Sequence, residues 1–184
     1  MTARTIPEHI QAAVKLAGRN ARAVEEFGNT PAAVWFSFSV AIIAFPLFVM
    51  TMGLGDKQHG GIADLLSELG PYAVGWLLFP VVMARVVLTI DRERYYCRYI
   101  AAVNWCALIE YLAMSLLVVM RTQGILPDAF ENILFVVLIV WVLTFQHFVA
   151  RHALQVDGVV AALLVALRMV LDIAIVSGSG MLGG

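Results

Sequence analysis

Charge is scarce in this chain: 14% of its 184 residues are Asp, Glu, Lys or Arg, against about 25% in an ordinary soluble domain. The formal net charge of −1, and the lack of any basic patch beside aromatics in a soluble segment, give no case for nucleic acid as a partner. Cysteine is nearly missing, with two residues, Cys97 and Cys106. They lie on one expected helix, roughly 13 Å apart along its axis, too far for a disulfide. No CxxC occurs, so both read as lipid- or core-facing thiols. HExxH, GxSxG, the P-loop and GxGxxG are also missing, which leaves hydrolase, metalloprotease and nucleotide-binding readings without support. No nucleophile–base pair is visible, and we expect no enzyme. Haem held by two histidines needs them on facing helices at one depth. His147 and His152 share one helix end, and His9 and His59 fall on opposite sides of the membrane, so no cofactor and no metal are expected. The first 27 residues contain Glu8, Glu25 and Glu26 and lack a central apolar block, so they do not read as a cleaved leader.

Apolar residues are abundant instead. They make up 61% of the chain, and mean hydropathy is +0.87. This composition indicates a polytopic membrane protein. Five apolar blocks fall at about 31–53, 71–90, 99–120, 130–149 and 158–177, each near the ~20 residues that cross a hydrocarbon core. The expected fold is all-α, a bundle of five spanning helices over 31–177, preceded by an amphipathic surface helix within 1–28 and followed by a mobile Gly-rich tail at 178–184. A soluble protein of this size has no interior that could hide five such helices. Pro46 and Pro80 fall inside the first two blocks and should kink them.

Residues 5–27 carry helix-start chemistry, with Thr5 and Glu8 spaced as a capping box and Pro7 in the first turn. Ile6, Ile10, Val14, Ala17, Val24 and Phe27 recur at helical steps, and Gly28 is a natural stop. Such a helix can lie among lipid headgroups or pack on the protein's own loops. The first outer connection holds "GIADLLSELG", which reads as a short surface helix.

Lys and Arg sort by connection. Arg4, Lys15, Arg19 and Arg22, then Arg92, Arg94 and Arg98, then Arg151 fall on one side. The other side has Lys57 and Arg121. The positive-inside rule therefore places the N-terminus in the cytoplasm and the C-terminus outside. The lack of a leader and the small size point to a bacterial inner membrane. The hairpin "DRERYYCRY", residues 91–99, reads as an anchoring belt of Tyr95, Tyr96 and Tyr99 with Arg92, Arg94 and Arg98 facing phosphates, or as a docking surface for a cytosolic partner.

The chemistry-bearing residues lie inside the blocks, where a charge costs a few kcal/mol and calls for a partner. Arg168 and Asp172 are one helical turn apart. Counted at 1.5 Å per residue from the cytoplasmic end of each block, Arg168 is about 14 Å deep, Glu110 about 17 Å and Asp172 about 20 Å. These three form the expected midplane cluster. Arg85 and Asn104, each about 8 Å deep by that count, with Gln146 and His147 nearby, form an expected second polar layer. One cation against two carboxylates leaves one negative charge over, which keeps a proton-coupled pathway open beside a purely structural ion pair. Gly158, Ala162 and Ala166 make a small-residue face suited to close packing within the bundle or in a homodimer.

The five-span plan and the closing stretch "GILPDAFENILFVVLIVWVLTFQHFVARHALQVDGVVAALLVALRMVLDIAI" resemble the Yip family of Rab-interacting membrane proteins and its bacterial relatives, over residues 31–177. The resemblance implies a role in membrane organisation or trafficking rather than catalysis. The long acidic, aromatic N-terminal region of the eukaryotic members is missing here, and the resemblance assigns no functional residue. Two function classes therefore stand. One is a non-enzymatic protein that binds or organises a membrane-protein partner or lipid; the other is a small transporter or transporter subunit using the midplane cluster.

Overall fold

The computed structural model describes residues 5–55 and 62–182. Among them there are helices and no strands: α1 (Ile6–Ala17), a 3-10 segment (Ala21–Phe27), α2 (Pro31–Ser37), α3 (Ser39–Gly55), α4 (Ile62–Thr89), α5 (Tyr96–Thr122), α6 (Asp128–Ala153) and α7 (Gly158–Leu182), with a short 3-10 turn at Glu93–Tyr95. Five stretches are long and apolar enough to cross a membrane: Pro31–Thr51, Glu68–Thr89, Glu93–Thr122, Ala129–Ala153 and Gly158–Ile175. They match the five apolar blocks.

α5 is the central post. It packs against α1, α2, α3, α4, α6 and the first 3-10 segment, while α7 closes the bundle against α4 and α6. The eight residues from Ala101 to Leu108 are all buried, as a helix surrounded on every side requires. The far side of α6 differs. Phe130, Ile133, Phe135, Val136, Val137 and Val140 are exposed, an apolar face that only lipid or another protein suits.

The N-terminal segment departs from the expected single helix. The capping box forms, with Thr5 N donating to Glu8 Oε2 at 2.7 Å. α1 then ends at Ala17, Arg19 takes a left-handed φ of 64°, and the chain re-enters as the 3-10 segment. Folding back lets the two pieces cover the bundle instead of lipid. His9, Ala12, Ala13 and Leu16 of α1 and Ala23, Val24 and Phe27 of the 3-10 segment are all buried. Small Ala side chains on that face allow close approach. Lys15 and Glu26 join the pieces at 3.0 Å. Arg19 donates to the carbonyl and hydroxyl of Thr144 on α6, at 2.7 and 2.8 Å. Gly28 turns the chain into α2 at φ 73°, where a Cβ would lie 3.3 Å from that of Ala33.

Three further boundaries differ from expectation. The first span is interrupted at Phe38, ahead of Pro46, which stays inside α3. Ser37 helps to loosen the turn there, its hydroxyl donating back to Val34 O at 2.7 Å. "GIADLLSELG" is not a separate surface helix, because α4 runs unbroken from Ile62 through Pro71 and Pro80. α7 continues to Leu182, so the Gly-rich end is helical as far as that residue. Lys57 and His59 lie outside the described residues.

Candidate functional site

Glu110 and Arg168 meet. Arg168 Nη2 on α7 lies 3.8 Å from Glu110 Oε2 on α5, and the side chains are 19% and 12% exposed respectively. Gln146 on α6 donates from Nε2 to the same carboxylate oxygen at 3.0 Å. Three helices thus converge on one carboxylate. The Arg168 guanidinium also lies over the Phe79 ring of α4, 5.4 Å from its centre, a favourable cation–π geometry. Among the described residues the Arg168 side chain makes no hydrogen bond and this one ion pair. At 3.8 Å even that contact is longer than a hydrogen bond, so its five N–H donors are left largely unspent.

Asp172 makes no close ion pair with Arg168. It is exposed, one turn further along α7, and no ion pair within 4.0 Å joins the two among the described residues. An i, i+4 spacing permits contact but does not enforce it, and the guanidinium turns toward α5 instead. Asp172 still borders the same space. A cavity of about 540 Å3 runs between α3, α4, α5, α6 and α7, with Glu110, Gln146, Arg168 and Asp172 on its wall. The rest of the wall is largely apolar and aromatic, including Phe48, Tyr72, Trp76, Phe79 and Tyr111, with Thr51, Glu68 and Asn104 as its other polar members. Phe48 and Tyr72 lie 4.6 Å apart, and Trp76 stacks on Tyr111 at 6.1 Å. Tyr72 holds α4 to α3 by donating its hydroxyl to Ala41 O at 2.6 Å.

The expected second polar layer is not one layer. Gln146 belongs to the Glu110 cluster. Asn104 donates to Ser37 Oγ at 2.9 Å, tying α5 to the break between α2 and α3. His147 Nε2 donates to Gly158 O at 3.0 Å, joining α6 to the start of α7. Arg85 is exposed, on the side of α4 away from the buried stripe Trp76, Phe79, Met83 and Val87. That stripe of three- and four-residue steps is a signal in the sequence that would have set Arg85 apart.

The hairpin at 91–99 also resolves differently. Tyr99 is buried against Phe79 rather than placed in a surface belt. Tyr96 donates to Pro80 O at 3.0 Å, and Tyr95 to Gln155 Oε1 at 2.5 Å. Arg98 donates to Ala153 O at 3.3 and 2.9 Å, and Arg92 Nε to Gln155 O at 3.3 Å. Arg94 is exposed above the Tyr95 ring. Two of the three arginines offered as a docking surface are therefore engaged within the molecule. On α7, Ala162 and Ala166 of the small-residue face are exposed, while Ala161 and Leu164 pack inward. Cys97 and Cys106 are free thiols. Among the described residues no group of three His, Cys, Asp or Glu side chains is placed to hold a metal ion.

No protein-family model, curated protein or solved structure matches this chain.

Proposed function

We propose that this chain is a non-enzymatic integral membrane protein that binds an amphipathic molecule, lipid or lipid-like, in the cavity between its spans. The supporting observation is that a space of about 540 Å3 reaches a guanidinium whose donors are almost unused. An aromatic wall suits an apolar body, and Arg168 suits a carboxylate, phosphate or carbonyl acceptor. Glu110 and Gln146 fix the position of the arginine. The protein sits in the membrane, by this reading a bacterial inner membrane, with its Arg-rich end toward the cytoplasm. The exposed apolar face of α6 and the Ala162–Ala166 face of α7 are where a membrane partner or second copy would pack, the membrane-organising role the Yip-like resemblance implies. The test is binding of a fluorescent fatty acid to the purified chain in neutral detergent. Arg168→Gln should weaken binding about tenfold or more, the worth of one charge-assisted hydrogen bond. Wild-type affinity in that variant would defeat the reading.

A second reading, a small proton-coupled transporter, draws on one specific feature: Glu110 is a buried carboxylate on the wall of that cavity. Reconstituted vesicles should then show a pH-dependent flux that Glu110→Gln removes while the protein still inserts.

A further inference from the structure

A second crevice lies at the Arg-rich end of the bundle, away from the cavity. Its volume is about 430 Å3, and it is lined by the 3-10 segment (Arg22, Val24, Glu25), α5 (Arg98) and the end of α6 with the turn after it (Arg151, His152, Gln155). Three arginines from three separate elements converge there. Nothing in the linear order brings Arg22, Arg98 and Arg151 together; the fold-back of the N-terminal segment does. Arg98 is fixed, because it donates to the C-terminal carbonyl of α6 at Ala153 and stacks over Tyr95 at 4.9 Å. That contact uses Nε and Nη2, as suits a cation at a helix C-terminus, and leaves Nη1 without a hydrogen bond among the described residues. Arg22 and Arg151 are different. Both side chains are exposed, and among the described residues neither makes an ion pair or a side-chain hydrogen bond. Glu25 is the one carboxylate on the wall, and it too is without a partner there. The crevice therefore holds an excess of positive charge with little internal compensation.

Depth selects the class of anion. Arg98 sits in the first turn of α5 and Arg151 in the last turn of α6, both helices long enough to cross a membrane. Residues at such ends lie at the level of lipid headgroups. The volume would hold roughly a dozen waters at about 30 Å3 each, which is room for a phosphate with an organic substituent. Arginine is the side chain best matched to phosphate oxygens.

We propose that Arg22, Arg98 and Arg151 form a binding site for the phosphate of a phosphoester, supplied by an anionic lipid headgroup or by a soluble phosphorylated molecule. This site is independent of the cavity and of the function proposed for it.

The test uses the full chain in neutral detergent, with binding of short-chain phosphatidic acid followed by the shift it causes in thermal unfolding. Arg22→Gln with Arg151→Gln should weaken binding about thirtyfold, at about 1 kcal/mol per basic residue near an anionic headgroup. Neither side chain holds the fold, so unfolding without lipid should be unchanged. Arg94→Gln, which removes an exposed charge from the same end but outside the crevice, should bind like wild type. Glu25→Gln removes the opposing carboxylate and should tighten binding severalfold, which keeps the proposal open to test should the double variant fail to purify. Competition by glycerol phosphate would identify a soluble phosphoester as the ligand, and competition by phosphatidylglycerol alone a lipid headgroup. Phosphatidylcholine binding as well as phosphatidic acid, or equal affinity across the double variant, Glu25→Gln and wild type, would overturn the proposal.

Discussion

The two ends of the bundle are built to different densities. At the Arg-rich end, α5 is buried from Tyr99 to Leu108, α6 buries Phe145, Val149, Ala150 and Ala153, and α7 buries Ala161 and Leu164. The N-terminal segment adds Ala12, Leu16 and Phe27 to that core. Toward the other end the same helices open. No residue of α6 from Ala129 to Thr144, and none of α7 from Val165 to Ile175, is buried, and α5 beyond Ile109 buries Glu110, Ser115 and Leu117. The cavity lies mainly in this looser half, with Val103, Asn104 and Ala107 of the dense segment also on its wall. One set of helices thus supplies a rigid clamp at one end and ligand space at the other, and the N-terminal fold-back makes the clamp.

The largest effects belong in the clamp. Trp105 is 0% exposed and stacks on His9 of α1 at 5.0 Å, with Phe36 at 5.9 Å. Trp105→Ala should cost about 3–5 kcal/mol of stability, measured by unfolding in detergent. Trp76→Ala, in the looser half, should cost about half of that or less, because one side of its ring already borders the cavity and has fewer contacts to lose. Equal losses at the two tryptophans would break the contrast between the halves.

The ion pair comes next. Arg168→Leu leaves Glu110 without its charge partner, and the cost of breaking a fully buried pair is about 3–5 kcal/mol. Both groups here keep some exposure and the contact is long, so about 2–3 kcal/mol is expected, below that range. Adding Glu110→Gln should recover part of the loss, a coupling that a double-mutant cycle measures. Adding Asp172→Asn should recover less. Greater recovery with Asp172 would move the pair to the spacing that the sequence suggested.

Spacing and length made much of this legible. Five apolar blocks gave five spans, and counting depth along α5 and α7 brought Glu110 and Arg168 to one level. The same count misplaced Gln146, because the fourth block was ended at residue 149. α6 runs on to Ala153, and four more residues at 1.5 Å each set Gln146 about 6 Å deeper. The break at Phe38 was not legible, because no Gly or Pro stands there; the turn at Arg19 had a signal in Gly18, the C-cap of α1, but the helical spacing of apolar residues on either side of it masked the stop. The first rests on the Ser37 hydroxyl turning back to Val34 and receiving the Asn104 amide; the second on Arg19 reaching Thr144 of a helix more than a hundred residues away. Tertiary contacts of that kind override local signals. The convergence of Arg22, Arg98 and Arg151 was hidden for the same reason.

A smaller loss should separate the Asn104 contact from the rest. Ser37→Ala removes the acceptor of a buried amide, at about 1–2 kcal/mol for a polar group left unsatisfied. Unfolding in detergent reads it. A loss near zero would mean that Asn104 finds a new acceptor, and that the break at Phe38 does not depend on this bond.

The smallest stability effect should come from Asp172, and it sharpens the contrast most. The carboxylate is exposed and without an ion-pair partner within 4.0 Å, yet it lies on the cavity wall beside Arg168. Asp172→Asn should change stability by no more than about 0.5 kcal/mol, because the carboxylate borders the cavity and has no ion pair within 4.0 Å to lose. Affinity for a carboxylate-bearing amphiphile should rise, because a like charge near the bound headgroup is gone. A residue that serves only the fold would move both measurements together or neither. A change in affinity at constant stability would instead mark the looser half as the part of the bundle given over to binding.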